Sequence, residues 1–92
     1  MEFTGIIIEE CGITSGEGQN GTWKMARYVI ESIERFPRRI AFDVSDGQTG
    51  RIERLGIKQG LRMKIFFDID ARQFEGKWYN SVHAYDARVI AE

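Results

Sequence analysis

The sequence is poor in the residues that build disulfides, metal sites and membrane spans. Its 92 residues include one cysteine, Cys11, and one histidine, His83. A single cysteine excludes an intramolecular disulfide, and these two residues are too few ligands for a structural zinc site. The longest uncharged apolar run is residues 5–8, whereas a membrane-spanning helix needs roughly 20 residues. We therefore expect no metal ion, no cofactor and no association with a membrane.

The chain also lacks a strong net charge and a visible secretory signal. Its formal net charge is −1, from 13 basic and 14 acidic residues. Four acidic residues and no basic ones lie in residues 1–20, which leaves 13 basic against 10 acidic residues in the remainder. A modestly basic face is therefore compatible with a nearly neutral protein. Because no basic segment followed by a long apolar stretch begins the chain, we expect a cytoplasmic protein.

What is present is a series of β-rich segments, separated by glycines and by one proline, Pro37. A chain of this length fits one domain, which we assign to residues 1–92. The strand signals cover residues 3–10, 22–34, 39–44, 61–72 and 78–89. A short helix is predicted between the third and fourth strands, with Thr49 as its N-cap, Ile52 and Leu55 on one face, and Gly56 as its C-terminal stop. The order β-β-β-α-β-β predicts an all-β protein with a five-stranded, closed OB-type barrel, and an open five-stranded sheet packed on the same helix is the alternative.

The clearest pattern is a two-residue alternation along the fourth strand. It predicts that one set of side chains faces the core: Leu61, Met63, Ile65, Phe67 and Ile69. The other set should face outward, with Phe66 beside Arg62 and Lys64. Asp68 and Asp70 belong to this outward set, and we expect solvated cross-strand ion pairs for them rather than a metal site. Residues 74–77 then predict a tight reversal, after which Val82 and Ala84 point inward and Ser81, His83 and Tyr85 point outward.

Residues 16–21 match the glycine pattern G-x-G-x-x-G of dinucleotide-binding loops. That fingerprint requires a helix that begins at its third glycine, so that the helix N-terminus can bind a pyrophosphate. Here the next residues predict a strand, so residues 15–21 are interpreted as a flexible hairpin loop that ends in an Asn-Gly turn. Cys11 has no cation near it in the sequence, and we expect an unreactive thiol.

Aromatic and basic residues are interleaved along the predicted outward positions. Flat rings stack on unpaired bases for about 1–3 kcal/mol per base, and neighbouring cations follow the phosphates without reading the sequence. Alternatively, Trp78, Tyr79 and Tyr85 cap the ends of the barrel or fill a dimer interface. The candidate nucleic-acid-binding residues are Trp23, Lys24, Arg27, Arg38, Arg39, Arg62, Lys64, Phe66, Arg72, Lys77, Trp78, Tyr79, His83 and Tyr85.

Nearly the whole chain resembles a family of small bacterial and phage proteins of unknown function, which is similar to single-stranded DNA-binding proteins of the OB fold. The most specific segments are Phe-Glu-Gly-Lys-Trp-Tyr at residues 74–79 and Phe-Pro-Arg-Arg at residues 36–39. The resemblance implies a closed barrel that assembles as a homodimer or homotetramer, with single strands lying across its strand faces and loops. It also implies binding groups at Trp23, Lys24, Arg38, Arg39, Lys77, Trp78 and Tyr85.

These observations predict a binding protein rather than an enzyme, because the residues present do not assemble into a nucleophile, a base and an oxyanion donor. We expect sequence-tolerant binding of single-stranded nucleic acid in replication, recombination or repair. DNA is favoured over RNA by the resemblance. The alternative is a protein–protein adaptor on the same barrel, such as an accessory subunit of a replication or repair complex.

Overall fold

The computed structural model describes residues 1–19, 21–47 and 49–90, which form five strands and one short helix. In chain order these are β1 (Glu2–Gly18), β2 (Gly21–Ser32), β3 (Arg39–Asp46), α1 (Arg51–Leu55), β4 (Arg62–Phe74) and β5 (Lys77–Val89). The strands close into a barrel in the order β1-β2-β3-β5-β4. The predicted five-stranded closed barrel is confirmed, and the open sheet is excluded. No helix among the described residues is long and apolar enough to cross a membrane.

The number of paired residues differs between neighbouring strands of the barrel. Antiparallel ladders join β1 to β2, β2 to β3, β4 to β5 and β1 to β4. Only β3 and β5 run parallel, and among the described residues their pairing consists of Asp43 beside His83. This β3–β5 seam is the narrowest connection of the barrel.

Side chains from all five strands fill the barrel, because each strand turns alternate residues inward. Along β2, for example, Ala26, Tyr28 and Ile30 are buried, and the rings of Tyr28 and Phe42 lie 5.6 Å apart. The predicted inward set of β4 is confirmed for Met63, Ile65 and Phe67. The buried core consists of Ile7, Ala26, Tyr28, Ile30, Phe42, Val44, Leu55, Ile57, Met63, Ile65, Phe67 and Ala84.

Two hairpins extend beyond the core, and we name them arm 1 and arm 2. Arm 1 consists of residues 14–18 of β1 paired with residues 21–25 of β2. The flexible loop predicted over residues 15–21 is therefore wrong, because Ser15 pairs with Lys24 and Gly18 with Gly21, while Asn20 lies outside the described residues. Arm 2 consists of residues 69–74 of β4 paired with residues 77–82 of β5.

The reversal at the tip of arm 2 agrees with its prediction. Glu75 and Gly76 both have a positive φ, of 50° and 79°, as a two-residue hairpin turn requires. By contrast, the inward position predicted for Ile69 is wrong, since this side chain is 48% exposed. Ile69 keeps the inward phase of β4 but lies in arm 2, where no opposite barrel wall covers it.

The helix is capped by a residue that the sequence did not single out. The predicted N-cap, Thr49, is wrong, because Gly50 occupies that position and no side chain caps from there. The Asp46 carboxylate instead accepts hydrogen bonds from the Ile52 N–H at 3.1 Å, from the Thr49 N–H and hydroxyl, and from the Gly50 N–H. These bonds, the one from Ile52 foremost, lower the pKa of Asp46, although burial acts in the opposite direction. Gly56 ends the helix in the left-handed region, as predicted.

Candidate nucleic-acid interface

The two arms project from opposite ends of the face that β2 and β3 share. Arm 1 lies where Lys24 of β2 pairs with Asp46 at the end of β3. Because β5 runs parallel to β3 with His83 beside Asp43, the start of β5 and arm 2 with it lie toward Arg39, at the other end of β3. Barrels of the OB type bind oligonucleotides at this face and at these two hairpins.

Arm 2 carries the densest arrangement of rings and cations. Residues paired across two strands share one face, so Arg72 lies opposite Tyr79 and Phe74 lies opposite Lys77 on the outer face of the hairpin. Rings and cations therefore alternate both along and across the arm. Phe74 is 64% exposed and Tyr79 is 52% exposed. Among the described residues, no carboxylate oxygen lies within 4.0 Å of a side-chain nitrogen of Arg72 or Lys77.

Trp78 lies on the opposite face of arm 2. It pairs with Gln73. This pair lies on the same face of the hairpin as the Ala71–Asn80 pair and the Ile69–Val82 pair. The side chain of Trp78 is 68% exposed, so it is not the barrel cap that one interpretation of the sequence offered. Both faces of the arm consequently present aromatic rings to solvent.

Arm 1 contributes one aromatic side chain, Trp23, which shares the outer face of β2 with Met25 and Arg27. Trp23 pairs with Gly16 across the hairpin, and its indole covers the Cα of that glycine. The side chain remains 41% exposed. One side of the Trp23 indole therefore lies against the backbone of arm 1, and the other side faces solvent.

The cations on the β2–β3 side are mostly paired with carboxylates. The Arg27 guanidinium lies 3.6 Å from Asp43, and the Arg39 Nε donates to Glu31 at 2.8 Å. Arg38 lies in the connection before β3 and is paired with Glu34 at 3.4 Å. The two exposed pairs, of Arg38 and Arg39, are worth little to stability, whereas Asp43 is buried. In all three pairs the carboxylate offsets the positive charge that a phosphate would meet.

The outer face of β4 and β5 within the barrel is partly closed to a ligand. Phe66 faces outward as predicted, but Arg88 lies over its ring at 5.5 Å from the centroid, and the Tyr85 ring lies 6.5 Å away. Tyr85 occupies a bulge, because Phe66 pairs with Asp86 whereas Phe67 pairs with Ala84. Lys64 is paired with Glu2 at 3.4 Å. Arg62 is half-buried.

The same face carries carboxylates whose predicted ion pairs do not form. Asp68 and Asp70 pair across the hairpin with His83 and Ser81. Neither carboxylate lies within 4.0 Å of a Lys or Arg nitrogen in the described part of the chain, so the cross-strand ion pairs are a wrong prediction. Asp70 lies within arm 2, two residues before Arg72 on the outer face, and Asp68 lies between Asp70 and Phe66. These charges repel phosphates at the point where arm 2 joins the barrel.

Two other residues singled out in the sequence lie apart from the arms' outer faces. Lys24 points to the side of β2 opposite Trp23 and lines an open cavity of about 230 Å³ beside α1, together with the carboxylates of Asp46 and Glu53. The Cys11 thiol donates to Glu9 at 3.2 Å, and this hydrogen bond raises its pKa, in line with an unreactive thiol.

Sequence reasoning missed two exposed rings. The sequence pattern places Phe74 only in the predicted reversal of residues 74–77, although it continues the outward phase of Phe66 and Arg72 on β4. Phe36 lies in the β2–β3 connection, is exposed, and has the Arg35 guanidinium 5.5 Å from its ring centroid. Only the strand phase could have identified Phe74, and no periodic pattern marks Phe36.

Residues 2–88 match a protein family described as Domain of unknown function (DUF3127), so the chain belongs to this family. Its fold is similar to that of Rim1, a mitochondrial single-stranded DNA-binding protein from S. cerevisiae, with a TM-score of 0.70. The match covers 98% of this chain and 92% of that one at 18% identity, and it shows a shared OB fold. A comparison with curated proteins gave no match. The predicted resemblance to a family of unknown function with this fold is confirmed.

Proposed function

We propose that this DUF3127 protein binds single-stranded DNA without sequence preference, chiefly through arm 2 and Trp23. The observation that carries the proposal is the outer face of arm 2, where Tyr79 and Phe74 alternate with Arg72 and Lys77. Rings of this kind stack on bases of any identity, and cations free of carboxylate partners attract the phosphates between them. The fold shared with Rim1 supports the proposal, because that protein binds single-stranded DNA.

The charge distribution favours the arms over the barrel wall. A DNA strand that follows the outer face of arm 2 toward the barrel meets Asp70 and then Asp68, whereas the face between the arms carries cations already paired with carboxylates. The free energy of binding therefore comes mainly from stacking on the arms, and the paired cations of the β2–β3 face contribute less. Unpaired strands arise in DNA replication, recombination and repair, and we propose that the protein acts in these processes. We also propose that it does so as a homodimer or homotetramer.

The test is binding of a fluorescently labelled oligo-dT, followed by anisotropy at several salt concentrations. The wild-type protein should bind it and leave the matching duplex unbound, with log affinity falling linearly with log salt. Trp78→Ala should weaken binding by about 5- to 150-fold, which corresponds to about 1–3 kcal/mol of lost stacking. Trp78→Phe is the matched control and should keep most of the affinity, because a flat ring remains.

Both variants should fold normally, because Trp78 is largely exposed. Unfolding of Trp78→Ala would show that this ring is structural, and it would remove Trp78 from the interface. Absence of oligonucleotide binding by the wild type at low salt would end the proposal. Light scattering of the free protein gives its assembly state in the same experiment.

A protein–protein adaptor is the second candidate, and the β2–β3 connection favours it. Ile33 and Phe36 are both exposed there, within six residues that begin where β2 ends. Exposed apolar side chains close together in the chain are typical of protein-binding surfaces. If the wild type co-purifies with a partner protein, Phe36→Ala should bind the oligonucleotide normally but no longer retain that partner. This result would assign the connection to an adaptor role separate from the arms.

A further inference from the structure

Gly16 is in close contact with the one aromatic side chain of arm 1. A Cβ built on Gly16 would lie 2.5 Å from Cζ2 of Trp23, 2.8 Å from Cε2 and 3.1 Å from Nε1. All three are atoms of one rigid ring system, so a methyl group at position 16 would displace the whole indole from its place on the arm. The indole therefore lies flat over the space that any other residue at position 16 would fill.

The structure restricts the three glycines of the G-x-G-x-x-G pattern to different degrees. Gly21 has a φ of 110°, a conformation that L-residues rarely adopt. Gly18 has no positive φ, and a Cβ there would lie 3.7 Å from Trp23 Cδ1, an ordinary van der Waals distance. Gly16 also has an extended backbone that any residue could adopt, so its small size is required only by the indole above it.

We propose that Gly16 is a positioning residue that holds Trp23 flat against arm 1, with the outer side of the indole presented to one unpaired base. The inference rests on the proposed function and deepens it. A ring already immobilised against the backbone loses little side-chain entropy when a base stacks on it, so the contact gains affinity by pre-organisation. The ligand group it takes is any nucleobase of a single strand.

The decisive comparison is Gly16→Ala against Gly18→Ala, two variants that add the same methyl group two residues apart on one face of arm 1. Gly16→Ala should weaken oligo-dT binding by at least about threefold, and by no more than Trp23→Ala does. Gly18→Ala should bind like the wild type. The dependence of log affinity on log salt should stay unchanged in both, because neither variant removes a phosphate contact.

A double-mutant cycle separates positioning from a general effect on the arm. If Gly16 acts through Trp23, adding Gly16→Ala to Trp23→Ala should cause no further loss of affinity. An additional loss of the same size as in the wild-type background would overturn the inference. Circular dichroism should show the same strand content in all variants, because arm 1 lies outside the core.

The packing of the indole can be measured without DNA. In a Trp78→Phe background Trp23 is the single tryptophan, and Gly16→Ala should shift its emission to longer wavelength and raise its quenching by acrylamide. Unchanged emission and unchanged affinity would overturn the inference alone. A wild-type protein that binds no oligonucleotide would overturn the proposed function and this inference with it, whatever the emission shows.

Discussion

Replacing Gly5 by alanine should destabilise the barrel, because no side chain fits at this residue. Gly5 belongs to two ladders at once, opposite Ser32 of β2 and opposite Met63 of β4, at the point where β1 joins both. A Cβ at Gly5 would overlap the backbone carbonyl oxygen of Glu31, and it would lie 2.7 Å from the carbonyl carbon and 3.2 Å from Cγ1 of Ile30. Backbone atoms cannot rotate away, so β1 and β2 must move apart in Gly5→Ala.

The cost has two parts. Forcing a methyl group into a packed site costs about 1–3 kcal/mol. Separating the strands also weakens roughly two ladder hydrogen bonds, at about 0.5–1.5 kcal/mol each. The free energy of unfolding should therefore fall by about 2–6 kcal/mol, out of the roughly 5–15 kcal/mol typical of a domain. With the urea dependence of a small protein, the unfolding midpoint should fall by about 1–4 M.

Urea titrations followed by circular dichroism measure this difference directly. Gly47→Ala is the matched control, because a Cβ there meets no atom within 4 Å and its φ is not positive. We expect it to change the free energy of unfolding by less than about 0.5 kcal/mol. A Gly5→Ala protein with the midpoint of the wild type would show that the two strands can separate freely at this point, and the reasoning would fail.

Two further predictions concern charge. Lys77→Gln should lower the slope of log affinity against log salt by about 0.7, the contribution of one phosphate contact in a single strand, whereas Lys58→Gln, on an exposed lysine after α1, should leave it unchanged. Equal slopes for both variants would remove Lys77 from the interface. Because its hydrogen bonds lower the pKa of Asp46, this carboxylate stabilises the fold at neutral pH, and the contribution is lost as the pH falls below about 4. The urea midpoint of Asp46→Asn should accordingly lie below that of the wild type at pH 7, with a gap that narrows toward pH 3. A gap that stays constant with pH would contradict this assignment, and Asp68→Asn is the control on an exposed carboxylate.

Much of the fold can be predicted from strand phase. The wrong predictions along β4 and β1 share one physical cause, which is that these strands continue beyond the core. Alternation along β4 identifies the inward side for Met63, Ile65 and Phe67, because burial selects apolar residues there. Ile69 continues the pattern into an arm that nothing covers, and periodicity reports only the side of a strand. In β1 the predicted strand stops near Glu10, because residues 13–18 pair with β2 outside the core and so carry no hydrophobic pattern.

The candidate site was harder to predict, because side-chain partners depend on register. The sequence indicates that Arg27 faces outward, but not that Asp43 lies opposite it on β3. It places Phe66 outside, yet the bulge at Tyr85 sets which β5 residues lie opposite it, and Arg88 covers its ring. The predicted cap of α1 was wrong for a related reason, since Asp46 contacts the helix from the end of β3.

The β3–β5 seam gives the barrel a preferred place to open. Each remaining pair of neighbouring strands is joined by an extended ladder, whereas the described part of this seam has the Asp43–His83 pair alone. Parting two strands costs least where the fewest hydrogen bonds must break together. We therefore expect transient opening of the barrel to start between β3 and β5, while arm 1 and arm 2, each built from one continuous hairpin, keep their own pairing intact.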